Sequence, residues 1–250
     1  MMRDSAKQIE EASLNAWPAL RRMVVDGWLV RFSEGYTRRA NSVNPLYGGY
    51  IDVEEKIRFC EQLYVERKLP CVFKVTPFVQ PNSLDTILDT LGYQPEAPTS
   101  VQILDLATYI PKMPASSLSH WPNPTDLWVE TYARMNTVLT HNIGPLKAIL
   151  DHIAPPACYA MLLDNGQPVA CGLGVCEGDK VGLFDIVTEP SQRGKGLGQQ
   201  LIAGILAWAV DNGAQTAYLQ VMLNNEAALR LYEKLGFREI YQYWYRIKML

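Results

Sequence analysis

Residues 187 to 202 read VTEPSQRGKGLGQQLI. An apolar run ends at Pro190, a short polar loop follows, and Gly194, Gly196 and Gly198 alternate as a helical pattern begins. Glycines in such a loop let backbone N–H groups converge with no Cβ in the way, and the helix behind them adds the positive end of its dipole. Arg193 and Lys195 contribute two cations. These residues suit a pyrophosphate, although a glycine-rich turn with no ligand has the same local pattern.

Spacing narrows the choice of phosphate ligand. A dinucleotide fingerprint, G-x-G-x-x-G, needs a glycine at 199 or 201, where the chain has Gln199 and Leu201. A P-loop needs Ser or Thr after its Gly-Lys pair, and Gly194-Lys195 is followed by Gly196. A second block, VMLNNEAALRLYEKLGF at 221–237, carries further chemistry. Asn225 is placed to cap the helix that starts at Glu226. Tyr232 lies two turns further along nearly the same face, and the small Ala228 between them leaves room for an extended ligand.

Arg193-Gly194-Lys195-Gly196-Leu197-Gly198 fits R/Q-x-x-G-x-G/A after a strand ending V-x-x-P, and so resembles motif A of the GNAT superfamily of N-acetyltransferases. Asn225, Ala228 and Tyr232 fit that family's N-x-x-A-x-x-x-Y, closed by Leu235-Gly236-Phe237. The resemblance covers residues 120–250, and its tight motifs cover 185–237. It implies a GNAT acyltransferase fold, an α/β chain with a mixed sheet, and transfer of an acetyl group from acetyl-coenzyme A to an amine. By family position the pyrophosphate of coenzyme A would sit on the amides from Arg193 to Gly198. The pantetheine arm would run along Ile186, Val187 and Thr188, with Asn225 and Ala228 also facing the coenzyme. Backbone N–H near Val187 would polarise the thioester.

An alkyl amine with a pKa of about 10.4 is neutral in only about one molecule in a few thousand at pH 7, so a proton acceptor is needed. Asp185 is the candidate base by family position, and a structural aspartate in a buried strand is the competing reading. Glu177 is a second, weaker candidate and equally suits a turn. Tyr232 is the candidate acid for the departing thiolate. Cys171 and Cys176 read as core thiols, which favours direct transfer over an acyl-cysteine route. Tyr132 and His141 are placed near the acceptor by family analogy alone; Arg38, Arg39 and Asn41, in the unusually polar segment YTRRANSVNPLY, are candidates to close the cleft, with solvated surface the competing reading. The acceptor itself stays open among a lysine, a protein N-terminus, an aminoglycoside, a polyamine and an amino acid. A catalytically silent acyl-coenzyme A sensor or scaffold is the alternative function, against which the retained Tyr232 and Asn225 speak.

The elements needed to position these groups are legible around them. ACYAMLLD, the turn Asn165-Gly166 and PVACGLGV predict a hairpin, with Pro168 pointing to an edge strand. KVGLFDIVTEP predicts a buried strand, QQLIAGILAWAVDNG an amphipathic helix, and then strand, helix and strand complete the chain. The N-terminal half repeats that ending. VEEKIRFCEQLYVERK, CVFKVTP, SLDTILDTLGY and SVQILDL predict helix, strand, helix and strand, with Leu91-Gly92-Tyr93 falling on Leu235-Gly236-Phe237. There the tyrosine position holds Leu88 and the loop NSVNPLYGGYIDVEE lacks the glycine motif, so this first unit would be a GNAT-like copy without a cofactor site. The proline- and serine-bearing stretch IPKMPASSLSHWPNPTD predicts a linker, with units at 1–115 and 116–250.

Composition fits this reading. With 48% apolar and 20% charged residues in a 250-residue chain there is ample core, and a net charge of −3 does not suit nucleic acid as a partner. No run approaches the ~20 apolar residues of a membrane span, and no secretory signal is evident, so the expected address is the cytoplasm. Five cysteines and three histidines fall in no metal-ligand spacing, so no metal is expected. Oligomeric state is not indicated.

Overall fold

The computed structural model describes residues 2–109 and 118–250; the expected unit boundary near 115 lies outside the described residues. The first half runs α1 (Met2–Ala16), β1 (Arg21–Val25), β2 (Trp28–Phe32), β3 (Val43–Asn44), α2 (Val53–Val65), β4 (Cys71–Val75), α3 (Leu84–Thr90) and β5 (Gln94–Asp105). The second begins with β6 (Leu118–Trp121), α4 (Asp126–Met135), α5 (Ile143–Asp151), β7 (Ala157–Asp164) and β8 (Gln167–Glu177). It ends with β9 (Lys180–Thr188), α6 (Leu197–Asp211), β10 (Thr216–Met222), α7 (Glu226–Leu235) and β11 (Arg238–Lys248). No helix of the described residues is long and apolar enough to cross a membrane.

All the strands join one mixed sheet, ordered β1-β2-β3-β4-β11-β5-β10-β9-β8-β7-β6. The predicted repeat is visible in it, since β4–α3–β5 follows the same order as β10–α7–β11. Each closing strand, however, sits beside the other half's penultimate strand. β11 pairs antiparallel with β4, β5 pairs antiparallel with β10, and β5 and β11 pair with each other. The two halves therefore interleave through a reciprocal exchange that element order alone does not disclose.

Two sequence expectations are corrected here. Leu118–Trp121 is not linker but a strand, paired with β7 from Leu118↔Leu162 to Trp121↔Tyr159. Pro168 does not mark a sheet edge, because β8 lies between β7 and β9. It sits where the β7–β8 register shifts beyond Leu162, and a bulge tolerates a residue with no N–H to donate.

Three apolar clusters hold the layers. On one face α1 and α4 bring Ile9, Trp17 and Trp128 against Leu173, Phe184, Tyr218 and the β11 tyrosines. On the other, α2 and α3 cover the first half, and α6 and α7 cover the second. Leu201, Ile202, Ile205 and Leu206 of α6 are fully covered, each worth about 1.5–3 kcal/mol of apolar burial. Gly174 permits that approach, since a Cβ there would stand 2.5 Å from Ile205 Cγ2. Glu10 of α1 ties the layers together, accepting from buried Lys74 on β4 (2.5 Å) and from Tyr241 on β11 (2.7 Å).

Candidate functional site

β9 and β10 are parallel partners from Lys180↔Thr216 to Leu183↔Leu219, and there the ladder stops. Beyond it β10 continues against β5 to Met222, while β9 continues against β8 to Thr188. The edges of Asp185 to Thr188 that face β10 are thus left without a strand partner. A cavity of about 790 Å³ opens in this gap, lined by Phe184 to Val187 of β9, Gln220 to Met222 of β10, and Asn225, Ala228 and Tyr232 at α7. The first half supplies Thr37, Arg38, Arg39, Ala97 and Thr99, and β11 supplies Tyr243 and Tyr245.

A bulge aims Asp185. Cys171 pairs with Val187 and Leu173 with Phe184, so Asp185 and Ile186 together oppose Gly172. Asp185 takes a left-handed backbone conformation (φ 52°), which for an aspartate is a tolerated strain of the kind that collects at working sites. Gly172 leaves room opposite: a Cβ there would meet Ile186 Cδ1 at 2.5 Å and Leu201 Cδ2 at 3.1 Å, and those side chains would have to shift. The Asp185 side chain is only 3% exposed. Its Oδ1 accepts from the Tyr132 hydroxyl at 3.1 Å and lies 3.8 Å from Arg39 Nη2, while Oδ2 is buried with no partner among the described residues. Burial pushes this carboxyl up to about 6, against the pull of Arg39 and of the Tyr132 hydrogen bond. Asn136 donates to the Tyr132 hydroxyl at 2.8 Å and fixes that phenol.

Tyr232 lines the same cavity from α7. Asn225 caps this helix by accepting from the Ala228 N–H at 3.2 Å, and Gly236 (φ 92°) ends it. Tyr232 packs edge-on against Phe237 at 5.8 Å, and its hydroxyl bonds to no described residue. Burial raises it to about 12, so it holds its proton throughout the neutral range.

The glycine loop adjoins this cavity without lining it. Gly194 (φ 81°) and Gly196 (φ 78°) are left-handed and have open space where a Cβ would stand. Gly196 is the N-cap of α6, and none of the amides from Gly194 to Gly198 is spent on a backbone hydrogen bond to a described residue. Gly198 lies close to Leu231 of α7 and Thr188 of β9, two elements that line the cavity through other residues. Lys195 donates to Gln192 at 2.6 Å. Free amides, open glycines and an unpaired strand edge in sequence fit a ligand that has a phosphate at one end and an extended amide-bearing arm at the other.

The other sequence candidates separate. Tyr132 and Arg39 reach Asp185, whereas His141 is exposed and outside the cavity lining. Asn41 is structural, accepting from the Ser33 and Gly35 amides and donating to the Tyr36 and Thr37 carbonyls. Glu177 stands at the far end of β8, held by Asn15 at 3.0 Å, away from the cavity. Burial raises both thiols, Cys176 to about 11 and Cys171 higher still. Sequence reasoning missed Gln220, Tyr243 and Tyr245, although Tyr241-x-Tyr243-x-Tyr245 is a period-two pattern that puts three phenols on one face. Tyr243 donates to Gln220 at 2.9 Å, and the Tyr245 hydroxyl is buried with no partner among the described residues.

Comparison with known proteins agrees with this geometry. Residues 5–246 match the family described as "Probable histone acetyltransferase Rv0428c C-terminal". The chain is 30% identical to the uncharacterized N-acetyltransferase YobR of Bacillus subtilis over 98% of its own length and 99% of that protein. In fold it is similar to a GCN5-related N-acetyltransferase from Kribbella flavida (TM-score 0.70, 15% identity), covering 97% of this chain and 95% of that one. It is also similar to a tandem GNAT protein from the clavulanic acid biosynthesis pathway (TM-score 0.63, 14% identity), covering 78% of this chain and 69% of that one. The chain is an acyltransferase that belongs to the GNAT superfamily of N-acetyltransferases, within the family of that matched model.

Proposed function

We propose that the protein transfers an acetyl group from acetyl-coenzyme A directly to the nitrogen of an amine in the cavity between β9 and β10. The observation that carries this reading is that a carboxyl and a phenol, both raised by burial, line one gap and hold different protonation states at neutral pH. Asp185 ionises near pH 6, and Tyr232 stays protonated. The amides from Gly194 to Gly198, including those of Lys195, Gly196 and Leu197, hold the pyrophosphate, and Arg193, whose own amide donates to Pro190, adds its side-chain charge. The free edge at Ile186, Val187 and Thr188 takes the pantetheine arm, and Asn225 and Ala228 border it.

Asp185 takes one proton from the incoming ammonium, and Arg39 and Tyr132 steady the charge. The neutral nitrogen attacks the thioester carbonyl, so one N–C bond forms and one C–S bond breaks. Tyr232 gives its proton to the departing thiolate and recovers one from the acylated nitrogen. The balance is one amide, one free coenzyme thiol and one proton released through Asp185. The first half, read as a unit to about residue 115 with no glycine loop of its own, completes the acceptor wall.

The test is thiol release from acetyl-coenzyme A against amines, small molecules and peptides, with Tyr232→Phe as control. Release that depends on one amine and on Tyr232 supports transfer. A protein that acetyl-coenzyme A stabilises thermally but that releases no thiol with any amine would instead be a silent acyl-coenzyme A module.

A further inference from the structure

We propose that the acceptor is a small amine carrying a carboxylate beside its nitrogen, an α-amino carboxylate, with the carboxylate received by Arg39 and the nitrogen by Asp185. As an assignment of the acceptor it rests on the acetyl-transfer reading. The ligand preference itself can be measured without turnover.

Arg39 is built differently from its neighbour. Arg38 is paired with Glu96. Arg39 instead holds its guanidinium 4.9 Å from the Trp17 ring and 5.7 Å from the Phe184 ring, and those two rings lie stacked 6.5 Å apart. Its side chain is 28% exposed, and no N–H of its fork is hydrogen-bonded to a described residue. Asp185 Oδ1, at 3.8 Å, is beyond hydrogen-bond reach. A guanidinium steadied against aromatic rings with its donors open matches a carboxylate in two-pronged fashion.

The surrounding groups have complementary needs. Asp185 Oδ2 is a buried acceptor with no donor, and the Tyr245 hydroxyl is buried and unpaired. Both residues line the cavity, although these two atoms lie just beneath its surface. Leaving such groups dry and unmatched is costly, and a zwitterion supplies a donor for the aspartate and acceptors for the arginine together. Charge points the same way. The charged lining residues are Arg38, Arg39 and Asp185, and Glu96 already answers Arg38. A zwitterion leaves this balance unchanged, whereas a polyamine or a lysine-rich peptide brings further cations against Arg39 with no second acid in the lining to meet them.

The experiment is calorimetric titration of the full chain, saturated with coenzyme A, using the common α-amino acids, their carboxamides and an Nα-blocked lysine amide. Wild type, Arg39→Gln and Arg39→Lys are compared. The Arg39 carbonyl already accepts from Arg31 through the backbone, so these substitutions spare that bond. Loss of a charge-assisted pair costs about 10–100-fold, so at least one acid binds wild type about 10–100-fold more tightly than its amide. That ratio falls to about twofold in Arg39→Gln and stays intermediate in Arg39→Lys. Equal binding of acid and amide, no binding by any amino acid, a preference that survives in Arg39→Gln, or preference for the blocked lysine would overturn the proposal. Thiol release is measured on the same series. If the acid preference is present but no thiol is released, acetyl transfer is refuted while the ligand assignment stands.

Discussion

Asp185→Asn tests the desolvated carboxylate and the catalytic base together. The folded protein holds this carboxyl at about 6, and the unfolded chain at the ordinary 3.8. The difference of about two pH units corresponds to about 3 kcal/mol. The sign follows from proton counting. Between pH 4 and 6 the folded state keeps a proton that the unfolded state has released, so wild type loses stability as pH rises through that window. The benefit of the raised pKa is complete below about 3.8 and gone above about 6. Asparagine carries no such proton, and subtracting its stability from wild type removes the titration of every other carboxylate. The measurement is urea unfolding of both proteins from pH 3.5 to 8. The wild-type minus variant difference should fall by about 3 kcal/mol across the window and be flat on either side. In turnover, kcat/KM of wild type should rise along an acid limb with its midpoint near pH 6 and level off above it, and the variant should lose about 100-fold or more together with that limb. A stability difference flat to within about 0.5 kcal/mol would refute the desolvation argument. An unchanged acid limb would remove Asp185 from the role of base.

Three other perturbations read different parts of the site. Tyr232→Phe removes a hydroxyl that bonds to no described residue, so stability should change by less than about 1 kcal/mol and coenzyme affinity little, while kcat falls about 10-fold or more; an undiminished rate would move the acid elsewhere. Gly196→Asp places a side chain at φ 78° and a negative charge among the free amides, and the thermal stabilisation by coenzyme A should vanish, as read by the melting temperature with and without ligand. Residues 1–109 expressed alone should aggregate, because without β11 the strands β4 and β5 face an empty slot in the sheet, and co-expression with 118–250 should restore solubility.

Much of the second half was legible because its signals are local. Asn225, Gly236 and the glycine run fix where helices begin and end, and the near-continuous apolar runs of β7 to β9 mark the buried strands between them. In the structure the motif residues stand on β9, α6 and α7, with the glycine loop beside the cavity and not in its lining. Asp185 was legible only as a position. What turns its carboxylate into the cavity is a bulge against Gly172, a two-against-one pairing that is settled by register and not by either strand's own sequence.

The strand exchange was hidden for a related reason. β5 and β11 end equivalent repeats, so each fits the slot beside β4 or the slot beside β10, and nothing within either strand selects between them. The selection is made by contacts between distant segments. Arg246 of β11 donates to Asp85 (2.8 Å) and Asp89 (2.6 Å) on α3 of the first half, and Tyr241 reaches Glu10 on α1. Because β11 crosses to the first half, Tyr243 and Tyr245 pass beneath the gap that β9 and β10 leave. Because β5 crosses the other way, Ala97 and Thr99 line it too. The first half, whose sequence has no such glycine loop, furnishes Arg39 and one wall of the cavity. Substitutions that loosen the exchange, such as Arg246→Met, should therefore weaken acceptor binding before they weaken coenzyme binding, since the glycine loop and the free edge of β9 belong wholly to the second half.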